Sequence, residues 1–165
     1  GQVGQGARVL MSGLDYERVV LAGGPLGLMR AVLDCVVPYV HERRQFGQRI
    51  GSFQAIQHLC ADMLQQLELG RAGLHYALWA QDAGDPCEAH RAAVMCKAYA
   101  AETYPQIGAS AIQIFGGAGF TWEYDIQLFY KRLLSTQITW GGSEVWLEEL
   151  AALIIDGEAP PITVE

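Results

Sequence analysis

An all-α fold, an antiparallel up-down four-helix bundle with one additional short helix, follows from three features of this 165-residue sequence. Apolar residues recur at spacings of three and four over long stretches, the period of a single buried helical stripe. Gly, Pro and Asp cluster where those stripes stop, and the period-two alternation of strands is nearly lacking. Long helices joined by short connections fold back on one another, which makes neighbours antiparallel.

Residues 1–14, with glycines at 1, 4, 6 and 13, read as an extended lead-in. The first helix is expected to begin at Asp15, whose side-chain oxygen suits a cap, and to bury Ala22, Leu26, Met29, Leu33, Val36 and Val40. Within it Gly23-Gly24-Pro25 is a place for a kink, or for close approach of another backbone or a ligand. A second stripe runs through Phe53, Ile56, Cys60, Met63, Leu67, Leu74 and Ala77 to the turn at 82–86. The third helix starts near Cys87, carries Val94, Ala98, Ala101, Gly108, Ile112 and Phe115, and is expected to bend at Pro105 before stopping at Gly116-Gly117. A shorter helix over 125–134 and a last one over 143–155 complete the bundle, residues 15–156, and 157–165 are expected to fray. The core is predicted to hold Leu26, Met29, Leu33, Met63, Leu67, Val94, Ile112 and Phe115.

A net charge of −7 with 51% apolar residues describes a globular domain without the positive field that nucleic acid attracts. No uninterrupted apolar run approaches the ~20 residues of a membrane span, so no membrane partner is expected. The four cysteines form no C-x-x-C pair and read as reduced core residues, which suits the cytoplasm or a mitochondrial matrix. The four histidines lack metal-ligand spacing and read as scattered residues on helix surfaces, so no metal is expected.

The stretch 41–54 holds the richest chemistry, with Arg43, Arg44, Arg49 and a Phe46-Gly47 pair between two helices. Guanidinium groups are planar, permanently charged and able to donate two parallel hydrogen bonds to a phosphate, although a basic interhelical loop is as readily a solvated surface. This loop, the first-helix stretch Glu17–Gly27, and the stretch Gln113–Phe120 (QIFGGAGF) together resemble, in order and spacing, the C-terminal helical domain of acyl-CoA dehydrogenases. The first stretch is most similar to the isovaleryl-CoA dehydrogenase branch. The resemblance implies a helical bundle that pairs as a homodimer or homotetramer and binds FAD across the subunit boundary. It implies FAD contacts at Arg43, Gln45, Phe46 and Gln54, and at Gln113 and Gly117 from the other subunit. An acyl-CoA substrate and an electron-transferring flavoprotein are the partners it implies for a complete enzyme.

The family's reaction needs a carboxylate base held in apolar surroundings. Where most members carry that glutamate, just before the final helix, this chain has Trp140 within Thr139-Trp140-Gly141-Gly142. In the isovaleryl-like branch the base comes instead from the first helix, at the position of Glu17, with Arg18 as a neighbouring orienter in the substrate pocket. Read by itself, Glu17 is equally a carboxylate favoured by the helix dipole. Trp140 stands where the branch has a small residue and is expected to narrow the acyl cavity. Two functions remain open: part of a flavin-dependent acyl-CoA dehydrogenase, inactive as an isolated chain, or a non-catalytic interaction module derived from that fold.

Overall fold

A computed structural model describes residues 3–83 and 85–155; the tail expectation for 157–165 lies outside them. The element order is α1 (Gly6–Glu42), β1 (Arg44–Gln45), β2 (Gln48–Arg49), α2 (Gln54–Ala83), α3 (Pro86–Phe115), α4 (Ile126–Ile138) and α5 (Ser143–Ile155). The up-down bundle is formed by α1 to α4, with α5 packed on α3. Single 3-10 turns, Ile50–Ser52 and Gly116–Phe120, lead into α2 and out of α3.

Central to the bundle, α3 packs against every other helix and buries residues on most of its circumference, from Ala92 to Phe115. Its alanines and Gly108 explain why: small side chains let helices approach closely on several sides. At Gly108 a Cβ would stand 2.7 Å from Tyr130 Cδ2 and 3.1 Å from Tyr130 Cα, so this glycine sets the α3–α4 spacing. Met29, Met63, Leu67 and Tyr104 fill the centre. Buried hydroxyls are matched to backbone: Tyr104 donates to Ala22 O at 3.1 Å and Tyr99 to Gln66 O at 3.0 Å. Of the predicted core all are buried except Leu26, which is half-buried against the cluster.

The lead-in expectation is corrected for residues 6–14, which are the first turns of α1. Ala7, Arg8, Leu10, Met11 and Leu14 are strong helix formers that outweigh Gly6 and Gly13, each worth about 1 kcal/mol against a helix. Asp15 is accordingly no cap; it is a buried residue inside α1. The helix also runs through Pro25 and Pro38 without interruption in its assignment, as α3 does through Pro105. At Pro25 the missing N–H leaves the Leu21 carbonyl without its usual donor. By length and composition α1 is apolar enough to cross a bilayer, although Arg30 and Asp34 interrupt its apolar run, and its stripe from Val19 to Val40 is buried in the bundle. Cys35 and Cys87 are exposed, and only Cys96 is a buried thiol, raised to about 11 by burial.

The start of α3 is specified locally. Asp85 accepts from the Cys87 N–H at 3.1 Å and Pro86 occupies the first helical turn, where its missing N–H costs nothing.

Candidate functional site

Two sites emerge around α1, one at its C-terminal end and one near its start. At the first, the chain leaves α1 through Arg43 and makes a two-residue hairpin in which Arg44 pairs with Arg49 and Gln45 with Gln48. Its turn is Phe46-Gly47 with φ of 54° and 80°, the double left-handed geometry that matches the strand twist. Glycine tolerates this; phenylalanine adopts it rarely. Phe46 nevertheless stands 90% exposed at the tip, touching Phe53 edge-on at 6.1 Å between ring centroids.

Arg43, Gln45 and Gln54 are all exposed. Arg43 has no acidic partner among the described residues, while the Gln45 amide folds back onto Arg44 O at 2.8 Å. The turn after α3 lies at this same end, because Tyr39 near the end of α1 stacks on Phe115 at 3.9 Å. There Gln113 and Gly117 are exposed, and a Cβ at Gly117 would meet nothing within 4 Å. The hairpin and the turn thus present cationic and amide groups outward from one end of the bundle.

At the second site, α1 and α4 border an open-sided cavity of about 230 Å³ lined by Val20, Leu21, Gly24 and Pro25 on one side and Arg132, Ser135, Thr136 and Thr139 on the other. The α1 wall is apolar and opened by the absence of a side chain at Gly24. On the α4 wall the hydroxyls donate to their own helix, Ser135 to Arg132 O at 2.7 Å, Thr136 to Leu133 O at 2.6 Å and Thr139 to Ser135 O at 2.6 Å. Behind it the buried Lys97 donates to Thr136 O at 2.8 Å, and desolvation lowers its ammonium below the usual value.

Glu17 is exposed and precedes Val20, Leu21 and Gly24 by three, four and seven residues, which places it on the helix face that lines the cavity. Across the cavity Thr139 is followed by Trp140, whose φ is 64°. Trp140 is 56% exposed and is not among the residues that line this cavity. Phe46 and Trp140 are the two non-glycine residues with positive φ among those described, and both were singled out from sequence. Uncommon backbone of this kind concentrates at functional positions.

Arg18 is not among the residues that line this cavity. One residue from Glu17 is about 100° around a helix, and the guanidinium is buried on the other face. There it binds Asp15 Oδ1 at 2.5 Å, approaches Glu149 Oε1 at 3.9 Å and lies 4.6 Å over the Trp146 ring. His90 joins them, which corrects its reading as a helix-surface histidine: Nδ1 is 3.0 Å from Asp15 Oδ1 and Nε2 is 3.1 Å from Glu149 Oε1.

Comparison with known proteins gives the family. The family model for the C-terminal domain of acyl-CoA dehydrogenases matches residues 4–155. The chain belongs to the acyl-CoA dehydrogenase family. It is 43% identical over 145 residues to the mitochondrial isovaleryl-CoA dehydrogenase of Solanum tuberosum, covering 88% of this chain and 35% of that protein. Among solved structures, butyryl-CoA dehydrogenase from Megasphaera elsdenii superposes with a TM-score of 0.86 at 32% identity, covering 94% of this chain and 40% of that one. PigA in complex with FAD and proline superposes with a TM-score of 0.86 at 28% identity, over 93% and 40%. The chain therefore spans about a third of the length of the curated relative.

Within this acyl-CoA dehydrogenase domain, sequence reasoning missed Asp15 as a buried partner, His90, Glu149 and the polar α4 wall. The three-residue spacing of Asp15 and Arg18 is a signal for a helical ion pair. Nothing in local sequence ties His90 to an aspartate 75 positions earlier.

Proposed function

We propose that this chain is the C-terminal FAD-binding and oligomerisation domain of a flavin-dependent acyl-CoA dehydrogenase acting on a short or branched acyl-CoA, with Glu17 as the base. The observation that carries this is the cavity between α1 and α4, bordered by the helix face of Glu17 and by the turn that holds Trp140. Names of relatives agree with a branched acyl group, and the FAD-bound neighbour agrees with a flavin.

The residues present fit one half of a dinucleotide contact. An exposed Arg43 without an acidic partner among the described residues suits a pyrophosphate, and Gly117 lets backbone come close with no Cβ in the way. Phe46, Gln45 and Gln54 stand beside it on the hairpin and the first turn of α2, and Gln113 on the last turn of α3. The second half comes from a partner copy, in a homodimer or homotetramer. FAD, when bound, supplies the acceptor for a hydride from the β carbon.

The work of the chain's own residues is binding and proton removal. Val20, Leu21 and Pro25 exclude water from one side of the acyl chain, and Gly24 gives it room. Glu17 takes the α proton of the thioester. In this chain Glu17 is exposed, so the apolar surroundings that suit a base are completed by the bound acyl chain and by the rest of the enzyme. Electrons then pass to an electron-transferring flavoprotein.

The test is Glu17→Gln in the complete enzyme, read as turnover alongside the flavin absorption spectrum. Turnover is expected to fall by about 10²–10⁴-fold with flavin still bound, because the amide keeps the shape but accepts no proton. Undiminished turnover would remove Glu17 from the mechanism, and lost flavin would make it a structural residue.

A further inference from the structure

Glu17 lies between two residues that face the opposite way. Asp15 and Arg18 sit on the buried side of α1, while Glu17 is about 200° around the helix from Asp15 and faces the cavity side with Val20, Leu21 and Gly24. Whatever grips Asp15 and Arg18 therefore sets the direction of Glu17. The grip comes from two other helices: His90 on the first turns of α3 and Glu149 in the middle of α5. All four side chains are between 8 and 15% exposed.

We propose that His90 and Glu149 are positioning residues, which with Asp15 and Arg18 lock the rotation of α1 so that Glu17 is held along the cavity edge. This rests on the proposed function for the role of Glu17; the lock itself stands on geometry. His90 Nδ1 lies 3.0 and 3.1 Å from the two Asp15 oxygens, and Nε2 lies 3.1 Å from Glu149 Oε1, off the line of a well-aligned hydrogen bond. The ring lies between two carboxylates on different helices, hydrogen-bonded to Asp15 and in ionic contact with Glu149, which is the setting of an imidazolium. The 3.5 Å approach of Arg18 to Nδ1 is then a contact between two donors, tolerated because Asp15 lies between their charges. Trp146, one turn before Glu149 on α5, covers Arg18 and donates its indole N–H to Gly141 O at 3.1 Å. Through Gly141 the lock is continuous with the Trp140 turn at the other rim of the cavity.

With His90 protonated, two cations balance two carboxylates. Neutral His90 would leave one buried negative charge in excess, which is costly. The groups facing the ring are Asp15 and Arg18 from α1 and Glu149 from α5; beside it on α3, Ala89 O accepts from the neutral Gln81 of α2 at 3.2 Å. Hydrogen bonding to Asp15 and then Glu149, against the opposing effect of burial, raises His90 from its ordinary 6.5 to about 9. A raised folded-state value means that the stabilisation is complete below about 6.5 and is lost as pH rises through about 9.

The test has two arms. In this chain, NMR titration of the His90 ring, the Trp146 indole N–H and the backbone amides of 15–18 should show one shared transition near pH 9. That transition should vanish in His90→Gln and move to lower pH in Glu149→Gln. A His90 that titrates near 6.5 with no response at Trp146 or α1 overturns the lock. In the complete enzyme, His90→Gln should lower kcat about tenfold at pH 7 with KM within about twofold, as expected for a displaced base, and should remove the fall in kcat through pH 9. An unchanged rate and pH profile overturns the positioning role. If turnover instead survives Glu17→Gln, the proposed function fails while the NMR transition is unaffected, so the two failures are distinguishable.

Discussion

Arg18 inside α1 and Arg43 just past its end carry the same group, and the surroundings give them opposite roles. Arg18, near the start of α1, is sealed among Asp15, Glu149, His90 and Trp146. Arg43, the residue that follows α1, is exposed and, among the described residues, tied through its backbone alone, its N–H to Tyr39 O at 2.8 Å and its carbonyl to Ile50 N at 2.9 Å. A cation that has its carboxylates inside the chain is structural; one that is held in place by its backbone but left unpaired is available to an outside anion. Lys97 stands between the two, fully buried yet bonded to the Thr136 carbonyl and, among the described residues, to no carboxylate.

Substituting the three cations in turn would break or sharpen this contrast. Arg18→Met should cost the most, about 3–5 kcal/mol of stability in denaturant unfolding, because it strands Asp15 and Glu149 in a buried site with His90 as their only cation. Lys97→Met should cost less, about 1–2 kcal/mol, since the thioether fills the space and the chief loss is a donor for Thr136 O at the cavity wall. Arg43→Ala should leave stability within about 0.5 kcal/mol yet weaken flavin retention in the complete enzyme, measured as absorbance after gel filtration. A loss of stability at Arg43 to match that at Arg18 would end the distinction, and unchanged flavin content would return Arg43 to solvated surface.

The hairpin and the charge cluster also differ in how far they could be read from residues alone. The loop from His41 to Gln54 declares itself within fourteen positions, through three arginines, two glycines and a flanking helix on each side. Its motif, together with Gln113–Phe120 and Glu17–Gly27, sufficed to indicate the family, and the placement of Phe46 in a strained turn is the structural counterpart of that signal. Helix periods located α2, α3 and α5 closely, because each stripe begins or ends at a Pro, Gly or Asp that acts through local backbone chemistry. The start of α1 was misplaced for the same reason: four glycines in fourteen residues weigh locally against helix, and Asp15 looks like a cap until its partners are present.

By itself, then, the sequence determined the bundle, the order of its helices, most of its core and the exposed basic loop, since all of these depend on residues close together in the chain. Only the tertiary structure decided which face of α1 carries Asp15 and Arg18 into the interior, that His90 and Glu149 meet them, that Trp140 stays outside the cavity, and that α4 gives that cavity a polar wall. The physical reason is one of range. Periodicity fixes which face of a helix is apolar, whereas a buried charge is tolerated only if its counter-charge arrives from another helix, and that pairing exists only once the helices have docked.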